Sequence, residues 1–225
     1  MKRILAAIIA AALLLSGCTS ASRPAESAPP TEIPSPSPTP VVTPTPEPES
    51  ADGELVLVRD YIPGIFIDLK YATTDNFTGR VIYDSDEAYL RYGTVKKLLC
   101  AQNELSGRGL SLKIWDAYRP VSAQFKLWEI CPNPVYVSDP NNGYSKHSRA
   151  NTVDITLVTD TGKSIPMPSG FDDFTSLADR DYSDVSAEAA ENARLLENVM
   201  VENGFVPYSG EWWHYSDSVA YDVYG

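Results

Sequence analysis

Ten of the chain's 18 prolines fall between Pro24 and Pro48, and no other feature limits the possible fold so strongly. From Thr19 to Asp52 the residues are mostly Pro, Ser, Thr, Ala and Glu, with no aromatic side chain. A segment with so little apolar surface cannot offset the ordering entropy of its own backbone, so any hydrophobic core must be built elsewhere. Residues 19–52 are therefore expected to form an extended tether. Polyproline-like stretches rise about 3.1 Å per residue, which gives this one a reach of up to roughly 100 Å.

Before the tether, Lys2 and Arg3 precede the uncharged run Ile4 to Leu15, which is followed by Ser16, Gly17 and Cys18. That is the architecture of an export signal. The run is too short to cross a hydrocarbon layer of about 30 Å as a permanent helix. Leu15-Ser16-Gly17-Cys18 resembles the lipobox of bacterial lipoproteins. The resemblance implies a signal peptide over 1–18, with Cys18 lipidated on sulfur and left as the new N-terminus. It also implies a protein of the cell envelope, lipid-anchored to the outer face of the bacterial cytoplasmic membrane. Each buried methylene of such an anchor contributes about 0.8 kcal/mol.

Residues 53–225 remain for one domain, a length within the usual single-domain range. They carry 15 basic and 25 acidic side chains, so most of the chain's net charge of -12 belongs here. No stripe of Lys and Arg is present, which excludes a nucleic-acid partner. Such acidity serves solubility and mildly favours substrates with a free amino group. Leu55 to Val58 and Ile65 to Leu69 read as short strands around Pro63-Gly64. Leu110 to Trp115 and Thr152 to Val158 alternate as strands, while Thr94 to Leu105, Pro120 to Ile130 and Ala187 to Asn203 have helical spacing. The last of these has Ser186 as N-cap and Gly204 beyond its end. Strands and helices do not alternate strictly, so the expected class is α+β, a small antiparallel sheet flanked by helices. Cys100 and Cys131 fall near the ends of two of the helices; a disulfide and two free thiols are both open.

The chain has only two histidines, His147 and His214. A catalytic zinc takes three protein ligands from imidazole nitrogen and carboxylate oxygen and keeps a fourth position open. His147, Asp154 and His214 would supply them. Asp154 interrupts an apolar and Thr-rich strand, where an unpaired carboxylate is costly. Each residue has a plainer explanation, since histidines are often structural and a strand aspartate can face solvent or pair with a cation. What favours a metal is that both histidines of the chain stand beside candidate carboxylates. Glu211, three residues before His214, would be the base, provided the segment turns there.

These residues lie in Ser145-Lys146-His147, with six residues between His147 and Asp154, and in Glu211-Trp212-Trp213-His214. Together they resemble the marks of the zinc D-alanyl-D-alanine dipeptidases of the VanX type, relatives of the D,D-carboxypeptidases. Asp68 to Thr73, Asp75 to Gly79, Asp116-Ala117-Tyr118-Arg119-Pro120 and Phe171 to Phe174 extend the likeness collinearly over the mature domain. The resemblance implies a Hedgehog/D,D-peptidase-like zinc peptidase fold and one Zn2+ per chain on His147, Asp154 and His214. It makes Glu211 general base and then acid, and Arg119 the stabiliser of the oxyanion. Ser145 and Asp116 would touch substrate or support the pocket, and Tyr71 and Trp213 would line or pack the cleft. Ala150 and Thr152 depart from the family's glycine and alanine. A glycine there serves a tight approach or positive φ, so Ala150 is a position able to shift the His147 loop.

The expected activity is hydrolysis of D-Ala-D-Ala, or a closely related short D-amino-acid peptide of the cell envelope, by metal-activated water. The alternatives are a D,D- or L,D-carboxypeptidase trimming peptidoglycan stems, and a non-catalytic peptidoglycan-binding lipoprotein. The expected partners are a small peptide and, through the anchor, a membrane.

Overall fold

The computed structural model describes residues 50–225. The signal segment with Cys18 and the tether up to Glu49 lie outside the described residues. Ser50 to Asp52, assigned to the tether from composition, already touch the folded part: Ser50 Oγ lies 3.2 Å from the Tyr61 hydroxyl, and the Gly93 N–H donates to the Asp52 carbonyl at 3.0 Å. Among the described residues no helix is long and apolar enough to cross a membrane.

The elements run β1 (Leu55–Leu57), α1 (Val58–Tyr61), β2 (Phe66–Ile67), β3 (Tyr89–Arg91), α2 (Tyr92–Ser106), β4 (Leu110–Asp116), α3 (Val121–Ile130), β5 (Thr152–Thr159), α4 (Ala187–Glu202), β6 (Phe205–Tyr208) and β7 (Glu211–Asp217). Short 3-10 turns cover Lys70–Ala72, Lys146–Arg149 and Ser176–Ala178. One sheet of five strands has the order β2-β4-β5-β7-β6, and β1 pairs with β3 in a separate ribbon. The α+β expectation holds, with one amendment: β2 runs parallel to β4, while the other pairs in the large sheet are antiparallel. Ile65 to Leu69 contributes only two strand residues because Leu69 already leads into the turn at Lys70.

Local chemistry explains the clearest boundaries. Ser186 accepts from the Ala189 N–H at 3.2 Å and opens α4. After the helix, Gly204 takes φ +86, which only glycine adopts freely. Strands β3, β6 and β7 escaped the sequence reading, because β3 is three residues long, Pro207 interrupts β6, and the Glu-Trp-Trp-His start of β7 does not alternate. Helix α2 packs on β4 and on α4, and α4 on β6. Leu98, Leu105, Leu112, Ile114, Ile155 and Leu196 are fully buried in this core, each contributing about 1.5–3 kcal/mol. Cys100 and Cys131 are both free thiols, Cys100 exposed.

Candidate functional site

The site begins with strand register. Asp116 on β4 lies opposite Asp154 on β5, and Asp154 lies opposite His214 on β7. Neighbouring strands are about 4.8 Å apart, so residues in one such row meet side by side. The pairing between β4 and β5 shifts between Ile114 and Asp116, a bulge that re-aims the end of β4. A second irregularity bends β7: Pro207 faces Tyr215, yet Tyr208 faces Glu211. The three residues from Trp212 to His214 are thereby extra, and Glu211 turns back until its Oε2 is 3.4 Å from His214 Nδ1. That is the turn the base assignment required.

His147 arrives from the 3-10 turn Lys146–Arg149, whose first N–H groups are capped by Ser145: its Oγ accepts from the His147 N–H at 3.3 Å. Ala150 ends this turn in the left-handed region at φ 58 and ψ 27. The glycine-like conformation is thus kept by an alanine, and the Ala150 N–H donates to the His147 carbonyl at 3.0 Å. Thr152, the other departure, is buried with its Oγ1 3.0 Å from Ser216 Oγ.

One ligand atom from each of His147, Asp154 and His214 lies within 4.8 Å of the others. His147 Nδ1 sits 2.9 Å from the Ala117 carbonyl, which can only accept, so this nitrogen carries the proton and Nε2 presents its lone pair. Nε2 faces Asp154 Oδ2 at 3.3 Å, and Asp154 Oδ1 faces His214 Nδ1 at 2.9 Å. Two acceptors turned toward each other in a buried space call for a cation between them. With protein atoms alone a proton fills that role. Burial disfavours the charged imidazolium of His147, but Asp154 and Asp116 outweigh it and raise its pKa. Burial likewise works against the Asp154 carboxylate, yet the two histidines hold it below the usual carboxylate range. The donor set of two imidazoles and one carboxylate fits a zinc ion. Burial and the charge of Asp154 raise the pKa of Glu211, with His214 and His147 pulling the other way.

Arg119 is 9% exposed, and its Nε and Nη2 donate to Asp116 Oδ2 at 3.2 and 2.6 Å while Nη1 donates to Gln124 Oε1 at 3.0 Å. Burial opposes its charge, but Asp116 more than compensates and its pKa is raised well above the ordinary value. Asp116 also accepts from the Ala117 N–H and the Tyr83 hydroxyl. Its role in this arrangement is to hold Arg119. Tyr71 is buried behind the site, its ring under the Arg119 guanidinium and its hydroxyl donating to Asp172 Oδ2 at 2.7 Å.

Asp172 was given no role from sequence, although it lies in the Phe171 to Phe174 stretch. Burial above all, with the charge of Asp154, pushes its pKa up to about 7 against the opposing hydrogen bond from Tyr71. Trp213 is buried against Trp212 and Phe171 and is not among the residues lining the cleft.

The cleft itself is about 220 Å³, lined by Ser145, Tyr208, Glu211 and His214 together with Pro134 to Tyr136; His147 and Asp154 are not in its lining. Tyr136 stacks at 4.5 Å on Phe174, joining two loops at this end of the domain. A separate hollow of about 280 Å³ lies among Tyr83, Tyr89, Tyr118 and Lys126, with none of the three ligand candidates in its lining. Of the two, only the smaller space has Glu211 and His214 in its lining.

The family profile described as D-ala-D-ala dipeptidase, Peptidase M15, matches residues 51–222. A D-alanyl-D-alanine dipeptidase of Escherichia coli (strain K12) is 39% identical over 162 residues, spanning 72% of this chain and 83% of that protein. Proteins of the same description from Enterococcus faecium and Streptomyces coelicolor are 35% and 36% identical, covering 69% and 73% of this chain and 87% and 91% of theirs. A solved chain titled VanYB in complex with D-Alanine-D-Alanine is 17% identical with a TM-score of 0.41, over 60% of this chain and 75% of that one.

Proposed function

The chain belongs to the D-ala-D-ala dipeptidase family, Peptidase M15, and from that premise we propose that residues 53–225 form a zinc dipeptidase domain cleaving D-Ala-D-Ala in the cell envelope. The observation that carries the reading is that ligand atoms of His147, Asp154 and His214 lie within 4.8 Å of one another, with Glu211 Oε2 3.4 Å from His214 Nδ1 and both Glu211 and His214 lining a cleft.

His147, Asp154 and His214 would hold the metal. Bound there, zinc supplies Lewis acidity, polarising the scissile carbonyl and lowering the pKa of water at the site toward neutrality. Glu211 takes the proton of the attacking water at its carboxylate and then returns it to the departing amine. Burial and the charge of Asp154 raise its pKa, the direction that makes a carboxylate a better proton acceptor. Arg119 uses three N–H groups on Asp116 and Gln124, which leaves two of a guanidinium's five for the oxyanion. Asp116 fixes that arginine before substrate arrives, and such preorganisation is what makes a donor effective in the transition state. Ser145 stands at the cleft wall and would contribute a hydroxyl to the bound peptide.

The Lys2 to Cys18 segment supports export and lipid anchoring at Cys18, with residues 19–49 as the tether. Loss of palmitate labelling in Cys18→Ala tests that part. For the chemistry, the purified protein is incubated with D-Ala-D-Ala and with a muropeptide, with and without chelator. Chelator-sensitive release of D-alanine from the dipeptide is expected. Release from the muropeptide alone would instead identify a carboxypeptidase, and no release from the zinc-loaded protein a binding lipoprotein without turnover.

A further inference from the structure

The bulge that brings Glu211 to His214 needs something to hold it. Were the ladder from Pro207 and Tyr215 continued regularly, Tyr208 would lie opposite His214; instead Tyr208 pairs with Glu211. Both residues are withdrawn from that regular pairing, and their backbone carbonyls need other donors.

Arg180 supplies them. Its Nε donates to the Tyr208 carbonyl at 2.7 Å and its Nη2 to the His214 carbonyl at 3.1 Å. Nη1 donates to Glu197 Oε2 at 2.9 Å and to the Tyr215 hydroxyl at 3.1 Å, and the guanidinium lies over the Tyr215 ring. The side chain is 10% exposed. It follows the Ser176–Ala178 turn, on the segment that also carries Asp172.

We propose that Arg180 is a positioning residue for the reaction: by clamping the Tyr208 and His214 carbonyls it locks the β6–β7 bulge, and so sets His214 and Glu211 at the spacing that metal binding and proton transfer require. The inference rests on the dipeptidase reading above for the roles of those two residues. The task suits arginine, because a rigid planar fork reaches two carbonyls at fixed separation whereas a lysine ammonium is a single point on a flexible stem. The competing role is a tie between α4 and the sheet through Glu197, and the two roles separate experimentally.

In the full chain, Arg180→Ala, Arg180→Lys and Glu197→Gln are compared for zinc affinity, by competition with a chromophoric chelator, for kcat and KM on D-Ala-D-Ala, and for thermal midpoint. Groups that orient metal ligands typically change affinity or activity about 10- to 100-fold when removed; zinc affinity and kcat of both Arg180 variants are expected to fall by that range, with KM little changed. Glu197→Gln, which leaves both carbonyl bonds in place, is expected to lower the thermal midpoint and keep zinc affinity. Wild-type zinc affinity and kcat in Arg180→Lys would overturn the proposal. So would an equal loss of zinc affinity in Glu197→Gln. Should Arg180→Ala fail to fold, the Lys and Gln variants decide the matter alone. A wild type that binds zinc but cleaves nothing would sink the dipeptidase reading, while the affinity comparison would still judge Arg180.

Discussion

On β5, Val153, Ile155 and Leu157 alternate with Thr152, Asp154 and Thr156, and all six are 5% exposed or less. Water access therefore does not distinguish the two faces. The first set joins the apolar core, where stabilisation is non-directional and scales with area removed from water. The second faces charges and hydroxyls, where each group is favourable only with its partner in place and costly without it. Fold and function are thus divided between opposite faces of one strand. The polar face is the one that cannot be justified by packing alone, which is why it marks the site.

This division implies that variants on the two sides should fail in different ways. The largest effect is expected from Glu211→Gln, beside the polar row, which should lower kcat by about 10²–10⁴-fold, the range for removing a general base. Zinc content and thermal midpoint should stay at wild-type values, as metal analysis and calorimetry would show. Turnover surviving in this variant would remove Glu211 from the mechanism. On the apolar face, Leu157→Ala is expected to lower stability by about 2–5 kcal/mol in denaturant unfolding, as deletions of a buried leucine side chain do. Its zinc affinity and its kcat per folded molecule should be unchanged. If instead that core truncation cut kcat as deeply as the loss of Glu211, the two faces would not be independent.

Much of the apolar half was legible in sequence because its signals are periodic: β4 and β5 alternate, and α4 carries both its cap at Ser186 and its terminator at Gly204. The candidate ligand row of His147, Asp154 and His214 stood out in sequence for another reason. With two histidines in the chain and an aspartate interrupting a strand, few other arrangements were possible. What sequence could not give was the bend that joins Glu211 to His214, since a register jump is a property of two strands together. Arg180 was missed on the same grounds. Its four polar partners are 17 to 35 residues away along the chain, and two of them are backbone carbonyls with no residue type to recognise. Asp172 was quoted within a family stretch, but its φ of 52 and its bond to Tyr71, 101 residues away, are tertiary facts.

Asp172 offers a smaller test of the polar side, through pH. Burial raises its folded pKa from 3.8 to about 7. Between those values the folded state binds the proton that the unfolded state has released, so stability falls as pH rises. In the metal-free protein the carboxyl's contribution is therefore fully present below about pH 4 and lost by about pH 7. Asp172→Asn removes the titration and suits the left-handed backbone there, because asparagine enters that region more readily than most residues. Unfolding free energies measured across this range should slope downward for wild type and flatten for the variant. An unchanged slope would place the titrating group elsewhere.

The smallest effect is expected at Ala150, where the two faces meet at the His147 turn. Left-handed backbone costs an L-residue roughly 1–2 kcal/mol, which Ala150→Gly would relieve. Against this stand the loss of a fully buried methyl, worth about 0.8 kcal/mol, and the greater freedom of glycine in the unfolded chain, about 0.4–1 kcal/mol. The opposing effects nearly cancel, so the thermal midpoint should barely move. Zinc affinity should not change either, because the Ala150 N–H already bonds the His147 carbonyl and the Arg91 N–H already bonds the Ala150 carbonyl at 2.7 Å, as a glycine's backbone would. A clear gain in zinc affinity in Ala150→Gly would mean that the alanine holds His147 away from its best position, and that strain at the turn weakens the metal centre.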